Sequence, residues 1–141
     1  MQAEPLRFDT KIAVVLRDDL PTWQKLNVTA FVVSGLAGTV DGLMGEPYVD
    51  GSGHVYLPMF RQPVLVFTGS AAQLRAVYER ARGRDLRFAI YTEELFNTGN
   101  DRDNRAAVQA VPSEALNLVG MAFWEGKKIV DKVLKGLSLH P

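Results

Sequence analysis

Ile12, Ala13, Val14, Val15 and Leu16 form an unbroken apolar run that stops abruptly at Arg17, Asp18 and Asp19. With no polar alternation and much β-branching, this run predicts a central strand covered on both faces. Leu20 and Pro21 come next. Pro21 suits a first helical turn, where its missing N–H costs nothing, and Asp19 is available as a cap. From Trp23 onward, Leu26, Ala30, Val33, Ala37 and Val40 recur at helical spacing. They predict a long buried helix, and Ser34, Gly35, Ala37 and Gly38 let it approach its neighbours closely. The β-branched stretch 28–33 would pass for a strand on propensity alone, but the length of the periodic segment decides for helix.

Residues 42–53 hold Pro47, Asp50, Gly51, Ser52 and Gly53 and read as a loop. Residues 54–60 read as an irregular edge segment, because Pro58 cannot donate to a sheet ladder. Residues 64–67 predict a short buried strand. Ser70 and Gln73 then form a capping-box pattern, and Leu74, Val77, Tyr78 and Ala81 give one apolar stripe ended by Gly83. Arg80, Arg82 and Arg84 complement the negative end of that helix. Residues 86–91 alternate as a strand, 97–104 read as a mobile surface loop, and 105–110 as a helical turn closed by Pro112. Residues 116–124 predict a second central strand, and 126–135 a final amphipathic helix with Gly136 at its C-cap. The expected architecture is a single α/β domain over residues 1–141, a three-layer α/β/α arrangement around a mixed sheet of about four strands.

The 141 residues are 47% hydrophobic, enough for one core without a covalent staple. The chain has no cysteine, which removes disulfides, thiolate metal sites and cysteine nucleophiles. The formal net charge is zero, so no global positive field favours a nucleic acid partner. The lysines Lys127, Lys128, Lys132 and Lys135 read as a solvated helix face. Residues 1–10 lack the basic-then-apolar order of a leader, and the apolar stretch 31–40 is too short to cross a bilayer. A cytoplasmic location without membrane contact is the expectation. His54 and His140, the two histidines, have no metal-ligand spacing, so no metal is expected. No glycine pattern matches a nucleotide fingerprint and no serine sits in a nucleophile elbow, so no cofactor is implied. Trp23, Phe31, Phe123 and Trp124 fall in apolar periodic segments and read as core or helix–sheet packing.

The opening Lys11-Ile12-Ala13-Val14-Val15-Leu16-Arg17-Asp18-Asp19-Leu20 resembles the first strand of type II peptidyl-tRNA hydrolases, an apolar run led by lysine and closed by Arg-x-Asp-Leu. The closing Val130 to Leu139 segment, with its helix stopping near Gly136, is similar to the end of the same family. A closer likeness is to a bacterial family of uncharacterised proteins, the domain-of-unknown-function family two thousand, which shares that fold. It rests on the Leu20-Pro21 step, Asn27 in a small-residue helix, Tyr91-Thr92-Glu93 at a strand end, and the unit running from Gly126-Lys127-Lys128 to Lys132. The resemblance implies a peptidyl-tRNA-hydrolase-like fold, and homodimerisation because the hydrolases associate.

The resemblance also places Lys25 on the hydrolase lysine implicated in catalysis. Thr29 and Val32 then stand where that family has glutamine and histidine, and Thr92-Glu93-Glu94 stands where it has an aspartate followed by Gly-Arg-Thr. A ligand crevice in an open α/β sheet lies beyond the carboxyl ends of the strands. Arg17, Asp18, Asp19, Asn27 and Thr92 are therefore the expected ligand-binding residues. Two functions follow. One is a module that binds a small molecule or protein on a hydrolase scaffold whose catalytic set has been replaced. The other is an ester or amide hydrolase in which Lys25 and Glu93 form the catalytic pair, the carboxylate orienting water and the ammonium stabilising the oxyanion.

Overall fold

A computed structural model describes residues 7–141. Residues 1–6, part of the segment read for a leader, lie outside the described residues. Strand β1 (Thr10–Arg17) is central, and Ile12 through Val15 are fully buried. It pairs in parallel with β4 (Val64–Gly69) and antiparallel with β6 (Leu118–Gly126). Strand β5 (Ala89–Thr92) joins the far side of β6, and β7 (Ser138–Leu139) joins β4. The order is β5-β6-β1-β4-β7, a mixed sheet of five strands where about four were expected. A separate antiparallel hairpin pairs β2 (Tyr48–Val49) with β3 (Val55–Tyr56), within the segments read as a loop and an irregular edge.

The pleat sorts the side chains of β1 into two cores. Ile12, Val14 and Leu16 face helix α1 (Thr22–Thr39), packing with Val28, Val32 and Leu36. Ala13 and Val15 face the opposite side, with Leu74, Val77, Tyr78 and Ala81 of α2 (Ala71–Gly83) and Val130 and Val133 of α4 (Lys127–Val133). Helices therefore cover both faces. Helix α3 (Asp101–Gln109) is held at the α1 side through Ala107 and Val108. No helix among the described residues is long and apolar enough to cross a membrane.

Gly120 decides how closely α1 sits. A Cβ there would lie 2.2 Å from Val28 Cγ1, so the helix rests on bare backbone of β6. The buried stripe is Val28, Val32 and Leu36, not the expected one: Leu26 is 68% exposed and Ala30 is exposed. The expected cap also differs. Pro21 occupies the N-cap, where its ring has no acceptor to offer, and Asp19, the expected cap, pairs with Arg17 instead.

Helix α2 carries the expected capping box, with Gln73 N–H donating to Ser70 Oγ at 3.2 Å and Ser70 N–H to Gln73 Oε1 at 2.8 Å. It ends differently from the expectation. Gly83 stays helical, and Asp85 takes the left-handed conformation at φ 54°. Leu86 N–H then reaches Ala81 O and Asp85 N–H reaches Arg82 O, a Schellman closure. Arg80 serves another helix, donating to the carbonyls of Val133 and Lys135 at the end of α4, both at 2.9 Å. Helix α4 is shorter than the expected 126–135, and Gly136 takes φ 96° just beyond it. Half of the expected 97–104 loop is the start of α3, capped by the Asn100 side chain accepting from Asp103 N–H.

The hairpin is tied by Asp50, whose carboxylate accepts from Ser52 and His54 backbone N–H groups and from the Tyr56 hydroxyl at 2.7 Å. The Tyr56 hydroxyl holds Asp50 below the usual carboxylate range. Its own side chain and those of Val49, Val55 and Leu57 are exposed.

Candidate functional site

Strands β1, β4 and β5 run the same way, so Arg17, Gly69 and Thr92 mark one edge of the sheet. Asp18 N–H donates to Gly69 O at 2.9 Å and ties two of these ends together, while the Asp18 side chain is exposed. Arg17 spans the third. Its guanidinium contacts Asp19 on one side and Glu93 Oε1 at 3.6 Å on the other, with only 15% of the side chain exposed. Burial alone would depress its pKa; the two carboxylates outweigh burial and hold the guanidinium firmly charged. The reach from β1 to the end of β5 crosses β6 at Gly120, which pairs with both Leu16 and Tyr91.

Glu93 opens the 3₁₀ turn Glu93–Asn97, and its N–H donates to Asn117 O at 3.0 Å. The adjacent Glu94 accepts from Asn117 Nδ2 at 2.6 Å. Its own backbone N–H, and then the Asn117 amide, lower its pKa. Thr92 is buried behind them.

Lys25 and Glu93 form no ion pair. The Lys25 ammonium lies 3.1 Å from His140 Nε2, next to the β7 edge, and Glu93 is committed to Arg17. Helix geometry explains the divergence. At 100° per residue, Lys25 stands about 200° around α1 from Asn27. Among the described residues no group of three His, Asp or Glu side chains is arranged to hold a metal ion.

Asn27 faces a crevice that the other predicted residues do not line. Trp23, Asn27 and Phe31 are spaced i, i+4, i+8 and form one stripe of α1. Opposite them lie Tyr91 at the end of β5, and Leu95 and Phe96 of the 3₁₀ turn. Thr98 to Asp101 and Asn104 close the third side around about 310 Å³. The rings run as a series, Trp23 to Phe96 at 5.9 Å, Phe96 to Tyr91 at 5.1 Å and Tyr91 to Phe31 at 5.6 Å between centroids. Asn27 Nδ2 donates to the Tyr91 hydroxyl at 3.3 Å. Burial raises the Tyr91 pKa, which keeps the phenol neutral.

Trp23 is 60% exposed and Phe31 50%, a correction to their reading as packing residues; Phe123 is buried in the core and Trp124 partly so. The ladder of Trp23, Asn27 and Phe31 was present in the sequence, as was Tyr91 five residues before Phe96. The signal was obscured because α1 is apolar around most of its circumference.

A larger cavity of about 640 Å³ lies at the opposite edge, under Leu36, Thr39 and Val40 and against Phe88 and Trp124. It is remote from Arg17, Asn27 and Glu93. The smaller crevice has the better claim to function, because it combines strand carboxyl ends with converging rings and amides.

No curated protein matches this chain. A solved structure described as a protein of unknown function from Agrobacterium tumefaciens str. C58 is similar to it, with 47% identity and a TM-score of 0.93, covering 96% of this chain and 100% of that one. The family model described as "Protein of unknown function (DUF2000)" matches residues 10–141. With that match extending across both central strands, the crevice and the last helix, the chain belongs to this family.

Proposed function

We propose that this protein is a small-molecule-binding module on a scaffold resembling that of the type II peptidyl-tRNA hydrolases, with the hydrolytic set replaced. The observation that carries the reading is the crevice between α1 and the end of β5. Four aromatic rings and the Asn27 amide converge on a space of ligand size, and two of the rings, Trp23 and Phe31, stand half exposed at it. Apolar walls with a few placed polar groups are the usual form of a small-molecule site.

The partners of the expected catalytic pair support the same reading. Lys25 faces an imidazole and Glu93 a guanidinium, so neither is presented to a common substrate atom. Hydrolysis through this pair would need both to leave their partners.

A two-part experiment tests the proposal. Purified protein is titrated with a pool of small metabolites while its two tryptophan indole N–H signals are followed by NMR. Binding in the crevice shifts the Trp23 signal and leaves that of Trp124 in place. Peptidyl-tRNA turnover is measured alongside. Turnover abolished by Lys25→Ala overturns the binding-module reading, as does a pool that moves neither indole.

A further inference from the structure

We infer that the crevice selects an organic ammonium, a small quaternary or N-methylated amine, through the rings of Trp23, Phe31, Tyr91 and Phe96. This rests on the small-molecule reading above and adds the chemical class of the ligand.

The argument is one of charge and surface. The lining contains no lysine, arginine or histidine, and its one charged member is Asp101 at the rim. Asp101 is paired with Arg105, one turn on along α3, and Arg105 itself does not line the crevice. The remaining walls are aromatic rings, the Leu95 side chain, hydroxyls and amides. Aromatic rings carry negative potential on their faces, and a cation within about 6 Å of a ring centroid is attracted, most strongly by tryptophan. Successive rings pack edge-on or tilted at 49–68° with centroids 5.1–5.9 Å apart, so they form one continuous aromatic row, and a group lying along it meets more than one ring.

The polar groups point the same way. Asn27 spends its Nδ2 on Tyr91, leaving Oδ1 as the free end of that amide, an acceptor. Asn100 and Asn104 each turn their Oδ1 to a donor within the loop and α3, which stiffens that wall. Tyr91 stays neutral, so its hydroxyl donates or accepts without adding charge. An anion would meet the aromatic row and the Asp101 carboxylate, with no lysine, arginine or histidine in the lining and only the first turn of the short helix α3, already capped by Asn100, to attract it. A methylated ammonium meets the aromatic row and gives up little hydration on entering.

The test uses choline, its neutral isostere 3,3-dimethyl-1-butanol and the anion 3,3-dimethylbutanoate. Each is titrated into the intact protein, with the two indole N–H signals read by NMR. Choline is expected to shift the Trp23 signal saturably, to spare that of Trp124, and to bind at least fivefold more tightly than the alcohol. The acid should not bind. In Trp23→Ala and Trp23→Phe the indole probe is gone, so binding is followed through the backbone amide signals of Asn27 and Gly99 in the crevice wall; Trp23→Ala should weaken choline at least tenfold, and Trp23→Phe should recover part of that loss, because an aromatic ring remains. Equal or tighter binding of the alcohol overturns the inference while leaving a small-molecule crevice in place. Binding of the acid does the same. Failure of choline and of tetramethylammonium to move Trp23 at 50 mM, on protein whose amide spectrum shows it folded, also overturns the inference. If the metabolite pool fails as well, the binding-module reading falls with it.

Discussion

Replacing Gly120 by alanine tests whether α1 is seated at a height that only a bare backbone permits. The new Cβ would lie 2.2 Å from Val28 Cγ1 and 3.3 Å from the Val15 carbonyl oxygen. Carbon atoms in contact settle at about 3.5–4.0 Å, so the pair must separate by roughly 1.3 Å or more. Val28 is fully buried and β-branched within a helix, which confines its χ1 to essentially one well. The methyl cannot swing aside, and α1 must lift or β6 must bend. Overpacking of this kind costs about 1–3 kcal/mol. Restricting the unfolded chain returns about 0.4–1 kcal/mol. The expected result is a net loss of about 1–2 kcal/mol in urea unfolding, with an unchanged m-value. Val28→Ala alone should cost about 2 kcal/mol, from two buried methyl groups and the space they leave. In the double variant the alanine methyl at position 120 enters that space, so the pair should be more stable than the sum of the single losses by about 1–2 kcal/mol. Additivity within about 0.5 kcal/mol would refute the seating argument, as would a Gly120→Ala protein as stable as the parent.

Ser70→Ala removes one half of the capping box of α2 and should cost about 1 kcal/mol in thermal or urea unfolding; an unchanged midpoint would show the box to be ornamental. Arg80→Ala frees the carbonyls of Val133 and Lys135 and should cost about 1–2 kcal/mol, with hydrogen exchange in α4 rising first; Arg80→Lys should restore only part of that, since both bonds leave from the terminal Nη1 and the lysine side chain is shorter. Glu94 has a folded-state pKa below its ordinary value, so its contribution is present above about pH 4.3 and fades as the pH falls through the lowered value. Glu94→Gln should therefore be less stable than the parent near neutral pH and converge with it in acid. A gap that widens on acidification would contradict the sign. Arg17→Ala leaves Glu93 without its partner and should lower stability by about 1–2 kcal/mol, whereas Glu93→Gln, at the more exposed end of the pair, should cost under about 1 kcal/mol.

What could be read from the sequence divides by whether the cause is local. The capping box of α2 is written in two residues, and the burial of β1 in five consecutive ones, so both were legible. Helix α1 was recognised, but its orientation was not. Apolar residues surround it, and the position of Val28 against Gly120 is set by a strand far along the chain. Strand β7 has two residues and exists because β4 offers an open edge, which leaves no mark on its own sequence. Helix α3 buries no residue fully and stands on the Asn100 cap and the Asp101–Arg105 pair, so the sequence showed its second half as a helical turn at 105–110 and its first half as loop. At the site, the meeting of Arg17 with Glu93 follows from parallel strand ends. The Lys25–His140 contact depends on how β7 closes the sheet, and the aromatic crevice on which way α1 is turned.

The pairing of β1 with β6 also bears on how the chain is made. Leu16 sits beside Gly120, so the middle of the sheet closes a loop of about 100 residues, at an entropic cost of about 4 kcal/mol. At ribosomal speeds, roughly 5–20 s separate the emergence of the two strands. For about the first half of that interval a sticky five-residue ribbon has no strand partner, and for the second half it has β4 on one side and nothing on the other. The nascent protein is thus exposed to wrong pairings until late in its synthesis, and holdase chaperones or slow growth temperatures should raise its soluble yield.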